Sequence, residues 1–194
     1  MKSISKMMWL RARFSAISLL KDCRGIAATE FAIIVPIMLV LFFGTVEFSS
    51  AVAVDRKVTL MARTLSDLTS QSTTVADSDM TNFFAASLAI LTPYSSTPTK
   101  GTITELYVDP ATLQARVQWS KGASPRAVSS TVAIPTALAV PGTYLIFSEV
   151  SYLYTPTIGY VMAKAGINLS DVSYTRPRQS TCVFYSPATA CTTL

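Results

Sequence analysis

Residues 31–46, FAIIVPIMLVLFFGTV, are sixteen consecutive positions without a charge, and they constrain this chain more than any other stretch. With IAAT at 26–29 and Glu30 they form a segment of 21 residues, 26–46, close to the ~20 that an α-helix needs to cross a bilayer. The core helix of a soluble protein can be as apolar, so the flanks decide. Residues 1–25 carry six Lys or Arg against one acid, Asp22, and so contain the whole formal charge of +5. Residues 26–194 balance ten basic against ten acidic residues. A basic cluster on one side of a first apolar segment holds that side in the cytoplasm. The expectation is a single-pass membrane protein with its N-terminus cytoplasmic and its C-terminal domain outside the cytoplasmic membrane. The neutral balance beyond residue 25 leaves no basic face for nucleic acid.

Two residues of the segment need a physical account. Pro36 would cost a soluble helix ~3 kcal/mol or more, but membrane helices tolerate proline, usually with a kink. Glu30 near the start of a membrane helix costs less than the ~2.5–3.5 kcal/mol of a mid-bilayer acid. It reads either as an interfacial acid complementing the helix N-terminus or as a charge awaiting a cation from another subunit.

The string around them is Arg24-Gly25-Ile26-Ala27-Ala28-Thr29-Glu30-Phe31, followed at once by the apolar run. It resembles a type IV prepilin processing site: a basic leader ending in glycine, four residues, then glutamate and an aromatic. The longer stretch RGIAATEFAIIVPIMLVLFFGTVEFS is similar to the signature of TadE-like proteins, minor pseudopilins of the tight-adherence (Tad, or Flp) pilus system. Pro36, Gly44, Glu47 and Phe48 stand where that signature has a proline, a glycine and a Glu-Phe pair. The strong similarity covers about 30 residues. Weaker likeness to TadE-like endings lies in SYLYTP at 151–156 and SYTRPR at 173–178.

The resemblance implies cleavage by a prepilin peptidase between Gly25 and Ile26, on the cytoplasmic side. It implies other pilin or pseudopilin subunits and pilus assembly proteins as partners. Glu30 would be the fifth residue of the trimmed chain, with Phe31 beside it, and could pair with the Ile26 ammonium of a neighbouring subunit to set helix register. A rival cleavage is present. Ala51-Val52-Ala53 is an A-x-A site at which an ordinary signal peptidase would release a chain starting at Val54. Against it, the apolar stretch exceeds the usual h-region and is bounded by Glu30 and Glu47.

Beyond Glu47 the helical pattern continues. Val54, Val58, Met61, Leu65 and Leu68 step by four and three along one stripe, with Asp55, Arg56, Lys57, Arg63 and Asp67 off it. This predicts one helix from the membrane to about residue 69, an alternative being a break at Ser49-Ser50. SQSTT at 70–74 reads as a loop. Asp77 or Ser78 is placed to cap a second helix bearing Phe83, Phe84, Leu88 and Leu91 and ended by Pro93. YSSTPTKG at 94–101 reads as a connection. TITELYVD and LQARVQWS flank Asp109-Pro110-Ala111-Thr112 as a hairpin, and VSSTVAIP and GTYLIFSEVSYLY supply further strands. The expected fold class is α+β and pilin-like: a long transmembrane helix, an amphipathic stalk, a small antiparallel sheet and one further helix. The expected divisions are a leader at 1–25, a membrane helix at 26–48, a stalk at 49–70 and a head at 71–194.

The chemistry of the head is sparse. With no histidine, the commonest general base and metal ligand are missing. There is no glycine-rich phosphate loop, metal-ligand cluster or nucleophile elbow, so no enzyme, catalytic residue, metal or cofactor is expected, serine–lysine chemistry being the one option left open. Cys23 lies in the leader, and Cys182 and Cys191 are either a disulfide worth roughly 2–3 kcal/mol in an oxidising compartment or two free thiols. Trp119 with Arg116 and Lys121 reads as a sugar or nucleotide platform or as ordinary alternation on a hairpin. Tyr144, Tyr152, Tyr154 and Tyr160 read as an adhesive patch or as packing. Arg176-Pro177-Arg178 reads as surface, available to carboxylates of another subunit. Two functions from different classes follow: a structural pilus component, and a tethered or released adhesin-like binding domain.

Overall fold

The computed structural model describes residues 24–156, 166–188 and 191. The chain divides at Val46–Glu47 into two compact units, and the class is α+β as expected. A 47-residue helix, α1 (Arg24–Ser70), runs without interruption through Pro36 and through Ser49-Ser50. Two hydroxyls of its apolar part are satisfied along the helix itself. Thr29 Oγ1 donates to the Ile26 carbonyl and Thr45 Oγ1 to that of Leu41, both at 2.8 Å, as membrane-depth hydroxyls require.

In the second unit the stripe of α1 becomes the core. Val54, Val58, Met61 and Leu65 are buried, joined by Ala51 and Ala62, while Asp55, Arg56 and Arg63 stay exposed. Leu68 is only half-buried; Thr69 and Ser70 take the buried places of the last turn, Thr69 Oγ1 donating to the Leu65 carbonyl at 3.0 Å.

After β1 (Thr74–Val75) comes α2 (Asp77–Leu88), followed by a 3₁₀ turn over Ala89–Leu91. Its cap falls one residue earlier than expected. Ala76 is the N-cap, and the Asp79 carboxylate accepts the Ala76 N–H at 2.9 Å. Asp77 is thereby freed from capping and accepts from the Tyr185 hydroxyl and from Lys121 Nζ (3.2 Å). Lys57 closes the other end, its ammonium donating to the Ile90 and Thr92 carbonyls at 2.8 and 2.9 Å.

The main sheet has the order β4-β3-β2-β5-β6, every neighbour antiparallel. Its members are β2 (Thr99–Val108), β3 (Ala115–Gly122), β4 (Thr131–Val132), β5 (Tyr144–Tyr154) and β6 (Ile167–Thr175). The expected hairpin is present. Asp109 Oδ1 accepts the Ala111 N–H at 2.8 Å, the side-chain turn that makes Asp-Pro a strand terminator. Two expectations shift: β2 already begins at Thr99, inside the stretch assigned to a connection, and VSSTVAIP contributes only a two-residue strand.

Both sheet faces are covered. Ile103, Ile146, Val150, Tyr152 and Tyr154 pack with the α1 stripe, whereas Leu106, Val108, Val117, Leu145 and Phe147 pack with Ile134 and Leu138 on the other side. A bulge at Gln118 makes this possible: Glu105 pairs Trp119 but Leu106 pairs Val117. The extra residue flips the face, so Trp119 enters one core and Val117 the other. At the strand's end Gly122 sits at φ +130°, and a Cβ there would lie 2.3 Å from the Gly101 carbonyl oxygen, so only glycine fits. The sheet also meets α1 through hydroxyls. Ser148 Oγ donates to the Ala62 carbonyl at 2.7 Å, and Thr175 Oγ1 donates to Ser66 Oγ, which lies 3.0 Å from Ser173 Oγ.

The C-terminal stretch returns to the helices. The short β7 (Phe184–Tyr185) pairs in parallel with β1, and the Arg178 N–H donates to the Ser70 carbonyl at 2.8 Å. Arg178 forms its ion pair with Asp67 of the same chain, so that cation is engaged internally rather than held for another subunit.

Candidate assembly segment and the environment of the buried acids

Gly25 and Ile26 occupy the first turn of α1, and both are exposed. A Cβ built on Gly25 meets nothing within 4 Å among the described residues. Glu30 is exposed and has no ion-pair or hydrogen-bond partner among the described residues. Phe31 beside it is 67% exposed. Ile33, Ile34, Ile37, Met38, Leu39 and Val40 are likewise exposed, all round the helix. The most apolar 18-residue window of α1 has a mean hydropathy of 2.4, and none of it is buried within the structure. Soluble monomers rarely leave so much contiguous apolar surface uncovered, and at 1.5 Å per residue the segment 26–46 spans about 31 Å, the thickness of a bilayer core. Residues 1–23 of the leader, Cys23 among them, lie outside the described residues.

Immediately beyond that segment, Glu47 and Phe48 part company. Phe48 points outward, whereas Glu47 is 4% exposed and accepts a hydrogen bond from the Tyr154 hydroxyl at 3.1 Å. Burial and the neighbouring Glu47 carboxylate push the Tyr154 phenol up to about 12, so it stays a donor. The sequence showed Glu47 as the end of an apolar run and as part of a Glu-Phe pair; its role as an internal anchor needed the strand that supplies Tyr154.

A second acid was not singled out by the sequence at all. Glu105 is 3% exposed, and Oε1 accepts the Val183 N–H at 2.6 Å. Trp119 Nε1 donates to the Val183 carbonyl at 2.8 Å, so side chains of β2 and β3 satisfy both backbone groups of one residue. Burial pushes the Glu105 carboxyl up to about 8, with the Val183 N–H and Trp119 opposing. Val183 follows directly on Cys182, which is disulfide-bonded to Cys191 with Cα atoms 5.9 Å apart. The covalent loop is therefore local, and the contacts to Val183 and Tyr185 are what hold it to the sheet.

The proposed platform does not assemble. Trp119 is buried, Arg116 lies 3.7 Å from Asp109, and Lys121 pairs with Asp77 and sits 4.4 Å from the Tyr185 ring centroid. The Tyr185 hydroxyl and Lys121 hold the Asp77 carboxyl below its usual range. Tyr144, Tyr152 and Tyr154 are buried, which makes them packing residues, and Tyr160 lies outside the described residues.

One N-terminal helix apolar and long enough to cross a membrane, continuing into an α+β domain with a disulfide, defines the class of protein. Within it, residues 25–65 match the family model of TadE-like proteins, consistent with a TadE-like protein of the Tad pilus system. The match spans the membrane-type segment and most of the buried stripe, and stops before α2. It points to a component associated with that pilus. No curated protein and no solved structure matches the chain.

Proposed function

We propose that this chain is a structural, non-enzymatic component, a minor pilin or pseudopilin of a Tad (Flp) pilus assembly and secretion machinery. It is inserted in the inner membrane through residues 26–46, with the basic leader cytoplasmic and the disulfide-bearing head periplasmic. A prepilin peptidase removes the leader between Gly25 and Ile26. The observation that carries this reading is the coincidence, inside the TadE-like match, of an exposed all-round apolar helix with Gly25 before it and Glu30 at its start. A helix that is apolar on every face can leave lipid for contact with other helices without exposing polar surface. Determining the mature N-terminus tests it. Ile26 is the expected result, and an unshifted, leader-bearing band is expected in cells lacking the peptidase; a start at Val54 or Met1 would overturn it.

Cleavage creates an ammonium group on Ile26, and the Glu30 carboxylate, without a described partner in its own chain, is placed to pair with that of a neighbouring subunit. Such a pair offsets the burial cost of both charges and sets axial register. Removing one partner of a buried pair costs ~3–5 kcal/mol, so Glu30→Gln is expected to leave insertion and trimming intact while incorporation into the machinery falls by more than about tenfold. Quantifying the variant in sheared pilus and membrane fractions checks this, and undiminished incorporation would remove the register role.

A further inference from the structure

We propose that Asp171 closes the free edge of β6 against a second copy of this chain. The five-stranded sheet has two edges of very different length. β4 contributes two residues, β6 nine, and among the described residues no strand pairs with the outer side of β6. An unpaired strand of that length is a template for another strand, and copies held in one membrane plane meet often. Apolar surface invites the contact: Val172 is 50% exposed, and Leu153 on the adjoining strand is 44% exposed.

The strand reads Ile-Asn-Leu-Ser-Asp-Val-Ser-Tyr-Thr, and its only charge is Asp171. Asp171 is also its central residue. When a strand pairs antiparallel with its own copy about a two-fold axis through its centre, the central residue faces itself. Two Asp171 carboxylates would then stand directly opposite, the arrangement that destabilises cross-strand pairs. No described cation neutralises Asp171 at ion-pair distance. Its carboxylate has a second effect on the edge. Oδ1 accepts the N–H of Val172 at 2.8 Å, so a backbone donor beside the strand's centre is already occupied. Charge at the centre and a capped neighbouring donor together are what an edge needs to refuse its own copy while keeping the regular pairing of β6 with β5.

The test uses the full chain in detergent, comparing masses by light scattering on a size-exclusion column under identical conditions. Asp171→Thr keeps a strand-forming residue and removes the charge, and it is expected to shift the population toward a doubled mass relative to the original chain. Adding Val172→Pro, which blocks the edge, is expected to reverse that shift. Asp171→Lys alone should resist self-pairing, because the lysines would again face one another, yet it should associate with the original chain when the two are mixed. A folded Asp171→Thr chain with unchanged mass would overturn the proposal. So would association that Val172→Pro does not reverse. Should Asp171→Thr fail to fold, the mixing experiment decides: no association between the Lys variant and the original chain would overturn the proposal.

Discussion

Raising the pH from 4.5 to 8 is expected to cost the Glu47–Leu194 unit about 4 kcal/mol of stability, and Glu105→Gln is expected to abolish most of that dependence. The folded carboxyl is pushed up to about 8, while the ordinary value is 4.5. Below the ordinary value both folded and unfolded states hold the proton, and the folded state is at its best. Between the two values the unfolded chain releases a proton that the folded one keeps, so stability falls by ~1.4 kcal/mol per pH unit and is lost as the pH passes the folded value. No histidine titrates inside this window, because the chain has none. Asp77 and Asp109 are both shifted downward by their hydrogen bonds, so their contribution is lost only as the pH falls below the ordinary carboxylate range. Gln keeps an oxygen for the Val183 N–H without a charge to bury. Denaturant unfolding of the detergent-solubilised chain at several pH values, followed by the fluorescence of Trp119, measures the slope directly. An original chain with no slope, or a Gln variant with the same slope, would remove Glu105 as its source.

The contrast between this acid and Glu30 shows what could be read from the amino-acid sequence. Glu30 interrupts an apolar run, so composition alone makes it conspicuous. Glu105 sits in TITELYVD, where an alternating strand accommodates an acid on its outer face without comment. It is buried because β7, some 80 residues later, returns to lie against β2 and β3, and a contact of that separation leaves no local trace. The bulge at Gln118 is hidden in the same way: ARVQWS alternates plausibly in either register, and only packing on both faces demands the extra residue. The stripe of α1 was legible because its period of 3.6 is local, and the Asp109 turn because its chemistry is contained in four residues. Glu47 falls between these cases. Its position ending the apolar run was plain, but the phenol it accepts from lies 107 residues away.

The same stripe yields the second large effect. Leu65→Ala is expected to destabilise the Glu47–Leu194 unit by roughly 2–5 kcal/mol, whereas Leu60→Ala, earlier in the same helix on its exposed side, is expected to cost less than about 1 kcal/mol. Leu65 is 0% exposed and Leu60 51%. Leu65 and Phe84 of α2 both approach Gly101 of β2, where an added Cβ would lie 3.8 Å from Leu65 Cδ2 and 2.9 Å from the Phe84 ring. Leu65 is part of the buried cluster that α1 shares with the sheet and with Phe84 of α2, so its truncation leaves a cavity there. Intrinsic helix propensity cannot produce the difference, since both substitutions replace leucine by alanine within one helix. Denaturant midpoints of the two variants, compared at a pH below 4.5 where Glu105 contributes most, measure it. Equal losses would mean that residues 54–65 of α1 do not form the core of this unit, and the amphipathic stripe would then require another partner to cover it.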